Sequence, residues 1–130
     1  MNRKIAALSV LVPDYDQAIS YYVDILGFKL ISDTPLSESK RWVLVSPGDE
    51  GGCHMLLAKA DTEQQRLAVG QQTGDRVFAF LHTDDFDRDY NSFKEKDVTF
   101  LEEPRDEVYG KVAVFRDMFG NKWDLIEPKK

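Results

Sequence analysis

Cysteine occurs once, at Cys53, so the chain can close no internal disulfide and build no cysteine cage around a metal; such usage fits a reducing cytoplasm. Histidine occurs only at His54 and His82, which restricts any imidazole-based chemistry. No apolar run approaches the roughly 20 residues that cross a bilayer, which speaks against a membrane. The opening MNRKIAALSVLVPDYD has no small-residue cleavage site and runs straight into a helix start, so it reads as a first strand and not as a signal peptide. Basic residues are in the minority: 17 Lys and Arg against 23 Asp and Glu leave a net charge of −6. No stretch supplies the basic face that phosphates require, which disfavours nucleic acid as a partner. A serine–histidine–acid arrangement, a phosphate loop and a dinucleotide fingerprint are all missing as well. What is present is a 130-residue chain that is 42% hydrophobic and 31% charged. That composition predicts one globular domain, or two small modules sharing a core.

The chain repeats itself. DYDQAISYY at 14–22 is echoed by DFDRDYNSF at 85–93, an offset of 71 residues. Asp14, Tyr15, Asp16 and Tyr22 match Asp85, Phe86, Asp87 and Phe93. A strand-like run precedes each copy, IAALSVLV at 5–12 and VFAFLHT at 77–83. Asp14 is a good N-cap, and Gln17 three residues on resembles a capping box. Tyr15, Ala18, Ile19, Tyr22, Ile25 and Leu26 then predict one continuous helix with an apolar face, closed by Gly27. The second helix is predicted from Asp85 with a narrow stripe of Phe86, Tyr90 and Phe93.

The remaining periodicities predict strands over 28–33, 41–46, 53–59, 98–102, 111–116 and 122–127. The turn PGDEGG precedes the third of these, EEPRDEVYG reads as a loop, and DMFGN reads as a tight turn. Residues 60–76 are polar and read as a linker with room for one helical turn between modules of about 1–60 and 75–130. The order is βαβββ, linker, βαβββ.

Three features coincide: VPDYDQAISYYVDILGF near the start, YGKVAVFRDMFGNKWDLIE at the end, and the repeated βαβββ order. Together the sequence resembles the vicinal oxygen chelate superfamily, which includes glyoxalases, extradiol dioxygenases, fosfomycin-resistance enzymes and bleomycin-resistance binding proteins. The resemblance covers nearly the whole chain. It implies a single glyoxalase-like α+β domain in which two βαβββ modules curl a mixed sheet around a cleft, with helices outside. It also implies a homodimer that completes each cleft.

Enzymes of this superfamily hold a divalent metal with imidazole and carboxylate ligands, groups that leave open positions for substrate oxygens. Carried over residue by residue, the imidazole positions of the two first strands fall on Ala7 and Phe78, with Val77 one residue away. The last-strand carboxylate falls on Asp124, four residues after Gly120. Its first-module counterpart falls on Met55 or Leu56. Only Asp124 keeps a ligand type. His82 lies about 13 Å along its strand from Phe78 and so does not replace it. If Met55 faces the cleft, strand alternation turns His54 away.

The expected cleft therefore contains Ala7, Ser9, Trp42, Met55, Phe78, Phe80, Tyr109, Arg116 and Asp124, with Leu11, His82, Lys122 and Ile126 on the same faces. Arg41 and Arg116 are candidate anion partners. This lining is largely apolar and aromatic, which suits a small aromatic or planar ligand. The leading reading is a cytoplasmic, metal-free small-molecule binder with degenerate metal positions. Its alternatives are a lyase or dioxygenase with a displaced zinc, nickel, manganese or iron site built from Asp124, His54 and Glu127, and an interaction module whose cleft is filled by Phe78 and Phe80.

Overall fold

The computed structural model describes residues 1–49 and 51–130. Glu50, inside the expected turn PGDEGG, lies outside the described residues. The chain divides into two compact units, Met1–Val69 and Gly70–Lys130. No helix among the described residues is long and apolar enough to cross a membrane.

The first unit runs β1 (Ala7–Val12), α1 (Tyr15–Ile19), a π-helical turn (Ser20–Ile25), β2 (Lys29–Pro35), β3 (Arg41–Ser46), β4 (His54–Lys59) and α2 (Glu63–Ala68). Asp14 caps α1 as its sequence predicts, accepting the Gln17 amide at 2.8 Å. The single helix expected through Leu26 is instead widened after Ile19. In α-geometry, residues four apart rotate by about 40° per step around the axis. The wider turn keeps Ala18, Tyr22 and Leu26 buried on one face, while Ile19 and Ile25 are left half-buried. Thr62 caps α2 by accepting the Gln65 amide, and α2 packs on β1. The polar segment after β4 thus contributes a helix to the first unit.

The strand order is β1-β4-β3-β2, with β1 parallel to β4 and the other pairs antiparallel. The alternation of strand side chains divides the sheet. Val10, Val12, Val43, Val45, Met55 and Leu57 are buried on the helix side. Arg41 shares that side. Its guanidinium lies 5.1 Å over the Tyr15 ring and pairs with Asp33 at 2.7 Å and Asp16 at 2.9 Å.

The second unit runs β5 (Ala79–His82), α3 (Phe86–Glu95), β6 (Thr99–Phe100), β7 (Arg105–Glu107), β8 (Gly110–Arg116) and β9 (Lys122–Pro128). Its sheet order, β5-β9-β8-β6, repeats that of the first unit, with β7 added alongside β8. Asp85 caps α3 through the Arg88 amide, and Phe86 and Phe93 are the buried stripe. Phe93, Phe100 and Trp123 gather around Phe115, with ring centroids 5.3–5.9 Å away.

Two expectations are corrected here. The strand expected over 98–102 is only Thr99–Phe100, because the Glu102 carboxylate takes the Val114 amide in place of a backbone partner. The expected loop EEPRDEVYG contains β7, which folds back on β8 through the Glu107–Gly110 pair. Gly110 is required there, since a Cβ would lie 2.3 Å from the Glu127 carbonyl oxygen. The turn DMFGN is organised by Asp117. Its Oδ1 accepts the Phe119 and Asn121 amides, and its Oδ2 accepts Asn121 Nδ2 and Trp123 Nε1, all at 2.9–3.0 Å.

Candidate functional site

In the second unit, pairing fixes which side chains share the sheet face opposite α3. Phe80 stands beside Asp124 across the parallel β5–β9 pair, and Val114 stands beside Asp124 across β8–β9. His82 with Ile126, and Arg116 with Lys122, continue that face. Phe80 is 64% exposed, whereas Asp124 is only 8% exposed. An exposed phenylalanine beside a buried carboxylate inverts the usual placement of both residue types.

β7 adds charge to this face. Arg105 pairs with Val112, which follows the same alternation as Val114. Its Nε donates to Glu102 at 3.0 Å, and its Nη1 donates to Glu107 at 2.6 Å and to the Tyr109 hydroxyl at 3.4 Å. Glu102 also accepts the Val114 amide at 3.1 Å. Arg105 is therefore committed to two carboxylates. Asp124 Oδ1 is buried and has no hydrogen-bond partner among the described residues. Burial raises the Asp124 carboxyl above the usual aspartate range; Arg105 pulls it down and Glu102 pushes it up. Desolvation of the charged form outweighs the attraction of a cation already engaged elsewhere.

In the first unit, the face opposite the helices carries Ala7, Ser9, Trp42, His54 and Leu56. Trp42 is 44% exposed. Met55 is not on this face: it pairs with Leu8 and Val45 and is buried on the helix side. His54 pairs with Ala7 and shares its face, the reverse of the orientation expected from an inward Met55. The sequence misleads here because the hydrophobicity of HMLLAK marks both faces almost equally.

Three further expectations change. Phe78 precedes β5, is half-buried, and packs edge-on against the Trp123 ring with centroids 5.8 Å apart, so it is not a second ring stacked beside Phe80. Arg41 is held by Asp16 and Asp33 on the helix side and is not an anion partner on the open face. Glu127 accepts the Phe86 amide at 2.7 Å and so finishes the start of α3. Tyr109 is half-exposed and joined to Arg105, while Arg116 is exposed. Sequence reading missed Glu102, Arg105 and Glu107. A signal was available: Arg105, Glu107 and Tyr109 recur with period two, the spacing that places side chains on one side of a strand.

A divalent metal needs several oxygen or imidazole donors around one point. Among the described residues, no three His, Cys, Asp or Glu side chains are grouped to hold an ion. Asp124 has Phe80 and Val114 as its sheet neighbours, and the cation that acts on it is Arg105. Of the positions expected to carry imidazole or carboxylate, only Asp124 does; the others hold Ala7, Phe78 and Met55 or Leu56.

Comparison with known proteins gives a consistent pattern. A sequence profile described as the Glyoxalase/Bleomycin resistance protein/Dioxygenase superfamily matches residues 4–125. An uncharacterized protein of Shewanella frigidimarina (strain NCIMB 400) is 47% identical over 128 residues, covering 98% of this chain and 95% of that protein. The crystal structure of UcmS2 superposes with a TM-score of 0.83 at 30% identity, covering 98% and 99% of the two chains. TnmS3, an antibiotic binding protein from Streptomyces sp. CB03234, gives a TM-score of 0.79 at 27% identity, covering 98% of each chain.

Proposed function

The chain belongs to the Glyoxalase/Bleomycin resistance protein/Dioxygenase superfamily, and from that premise we propose that it is a metal-free small-molecule binder within it. The ligand is a small aromatic or planar compound, taken on the sheet faces opposite the helices. One observation carries this reading: Phe80 is largely exposed next to the buried Asp124 on the face opposite α3. Ring surface and one oriented polar group are what a small-ligand site requires. Trp42 and Ser9 on the first unit, and Tyr109 and Arg116 on the second, are further binding candidates. Ala7 and Phe78 at the family's imidazole positions support a site that works without a metal. TnmS3, an antibiotic binding protein, supports small-molecule binding. The protein works in the cytoplasm as a homodimer, and exposed Ile5, Leu8 and Leu36 supply apolar surface for pairing.

The test joins elemental analysis of untagged protein to a thermal-shift screen of planar aromatic compounds. Absence of stoichiometric metal, with a saturable melting-temperature rise that Phe80→Ala or Trp42→Ala weakens, is the expected result. A second reading, a metal-dependent lyase or dioxygenase, draws on His54 standing beside Ala7 on the open face. A stoichiometric divalent metal that Asp124→Ala or His54→Ala removes would replace the first reading with the second.

A further inference from the structure

Asp124 Oδ1 is a buried acceptor that the fold leaves unsatisfied, on the same sheet face as a largely exposed ring. Leaving such an oxygen unpaired costs stability, and a fold that keeps it gains when an outside donor reaches it. The neighbouring charges say which kind of donor. Glu102 and Glu107 together neutralise Arg105 and leave one negative charge over, so Arg105 offers Asp124 no hydrogen bond. Asp124 adds a further carboxylate to that surplus. An anionic ligand would meet this excess and be repelled, whereas a cationic group would be drawn to it.

We propose that this face selects aromatic ligands carrying a protonated amine, with the ring on Phe80 and the N–H donating to Asp124 Oδ1. This inference deepens the small-molecule reading and rests on it. The geometry is local to adjacent strands: Phe80 on β5 and Asp124 on β9 are direct cross-strand neighbours, so a bicyclic ring on Phe80 with a one-carbon arm spans the gap to Asp124 and meets its buried Oδ1 as that side chain turns outward. Charge-assisted hydrogen bonds are the stronger kind, and in this partly dry setting they decide between ligands that share one ring. Val114 completes the contact surface with an apolar side chain, so the polar selection falls on Asp124 alone.

Three probes with one ring system test the idea: 2-naphthylmethylamine, 2-naphthylmethanol and 2-naphthoate, titrated at pH 7 by calorimetry and by amide chemical shifts. The amine is expected to bind about tenfold or more tighter than the carboxylate, with the alcohol between them. Its shifts should centre on Phe80, Asp124 and Val114. Asp124→Asn keeps the side-chain shape and should bring amine and carboxylate within about threefold of each other. Phe80→Ala alters an exposed ring and should weaken all three probes alike. Carboxylate binding as tight as the amine, an unchanged gap in Asp124→Asn, or shifts centred elsewhere would each overturn the proposal while leaving small-molecule binding intact. Failure of all three probes to bind would overturn the small-molecule reading and this inference with it.

Discussion

Replacing Asp117 with alanine should be among the most damaging single changes in the second unit. Its carboxylate is 3% exposed and accepts four hydrogen bonds. Two of the donors, Asn121 Nδ2 and Trp123 Nε1, belong to side chains that are each 2% exposed, so neither finds water when the acceptor is removed. A buried donor left without a partner costs about 1–3 kcal/mol. Two such donors, together with weakened amides at Phe119 and Asn121, give an expected loss of about 3–5 kcal/mol. The backbone bonds Asp117 N–H to Asn121 O and Gly120 N–H to Asp117 O survive, so the turn itself persists. Asp117→Asn keeps one acceptor oxygen and should lose about half as much. Urea unfolding followed by far-ultraviolet circular dichroism measures both variants. A double-mutant cycle with Trp123→Phe isolates the indole bond: without that N–H, Asp117→Ala should cost about 1–2 kcal/mol less. A loss below about 1 kcal/mol for Asp117→Ala would refute the reasoning, because it would mean that the buried donors find other acceptors at little cost.

Gly70→Ala should cost about 2–3 kcal/mol in the same assay, since φ is +73° and a Cβ would lie 2.0 Å from the Phe119 carbonyl oxygen. Gly27→Ala, at φ +76° in open space, should cost only about 1 kcal/mol, which separates backbone strain from collision. For Asp124 the folded carboxyl is raised, so its contribution to stability is fully present at low pH and is lost as pH rises from about 4 through its folded value. Asp124→Asn removes that loss, and the variant should gain on the wild type from pH 4 to pH 7 in matched urea titrations; a difference constant with pH would count against the desolvated carboxylate. Arg41→Ala breaks the pairs with Asp33 and Asp16 and the stacking on Tyr15, and should lower stability by about 1 kcal/mol, less at high salt.

Much of the architecture was readable because it is written locally. Asp14 and Asp85 cap helices where the repeat places them, and strands form at Arg41–Ser46 and Lys122–Pro128, where 41–46 and 122–127 are expected. Where the reading failed, tertiary partners decide. The π-helical turn at Ser20–Ile25 depends on keeping Tyr22 and Leu26 over one sheet. The facing of His54 and Met55 depends on register with β1 and β3, which a uniformly apolar strand does not announce. Asp124 and Phe80 were found through the family positions and the repeat. Their polar neighbours Glu102, Arg105 and Glu107 were not, because a run of charges reads as a solvated loop until β8 is there to pair with it.

In each unit the first strand of the sheet pairs in parallel with the last, β1 with β4 and β5 with β9. Each such pairing closes a loop of about 45 residues, at a chain-entropy cost some 2 kcal/mol above that of the β8–β9 hairpin. The hairpins therefore assemble early, and β1 and β5 dock late as edge strands. The same strands are the first to peel away in local opening, so their amides should exchange with solvent ahead of those of β8. Phe80 rides on the late strand and Asp124 on the hairpin. A molecule gripping both acts as a clasp across the folding seam, so ligand occupancy and the lifetime of β5 on its sheet rise together.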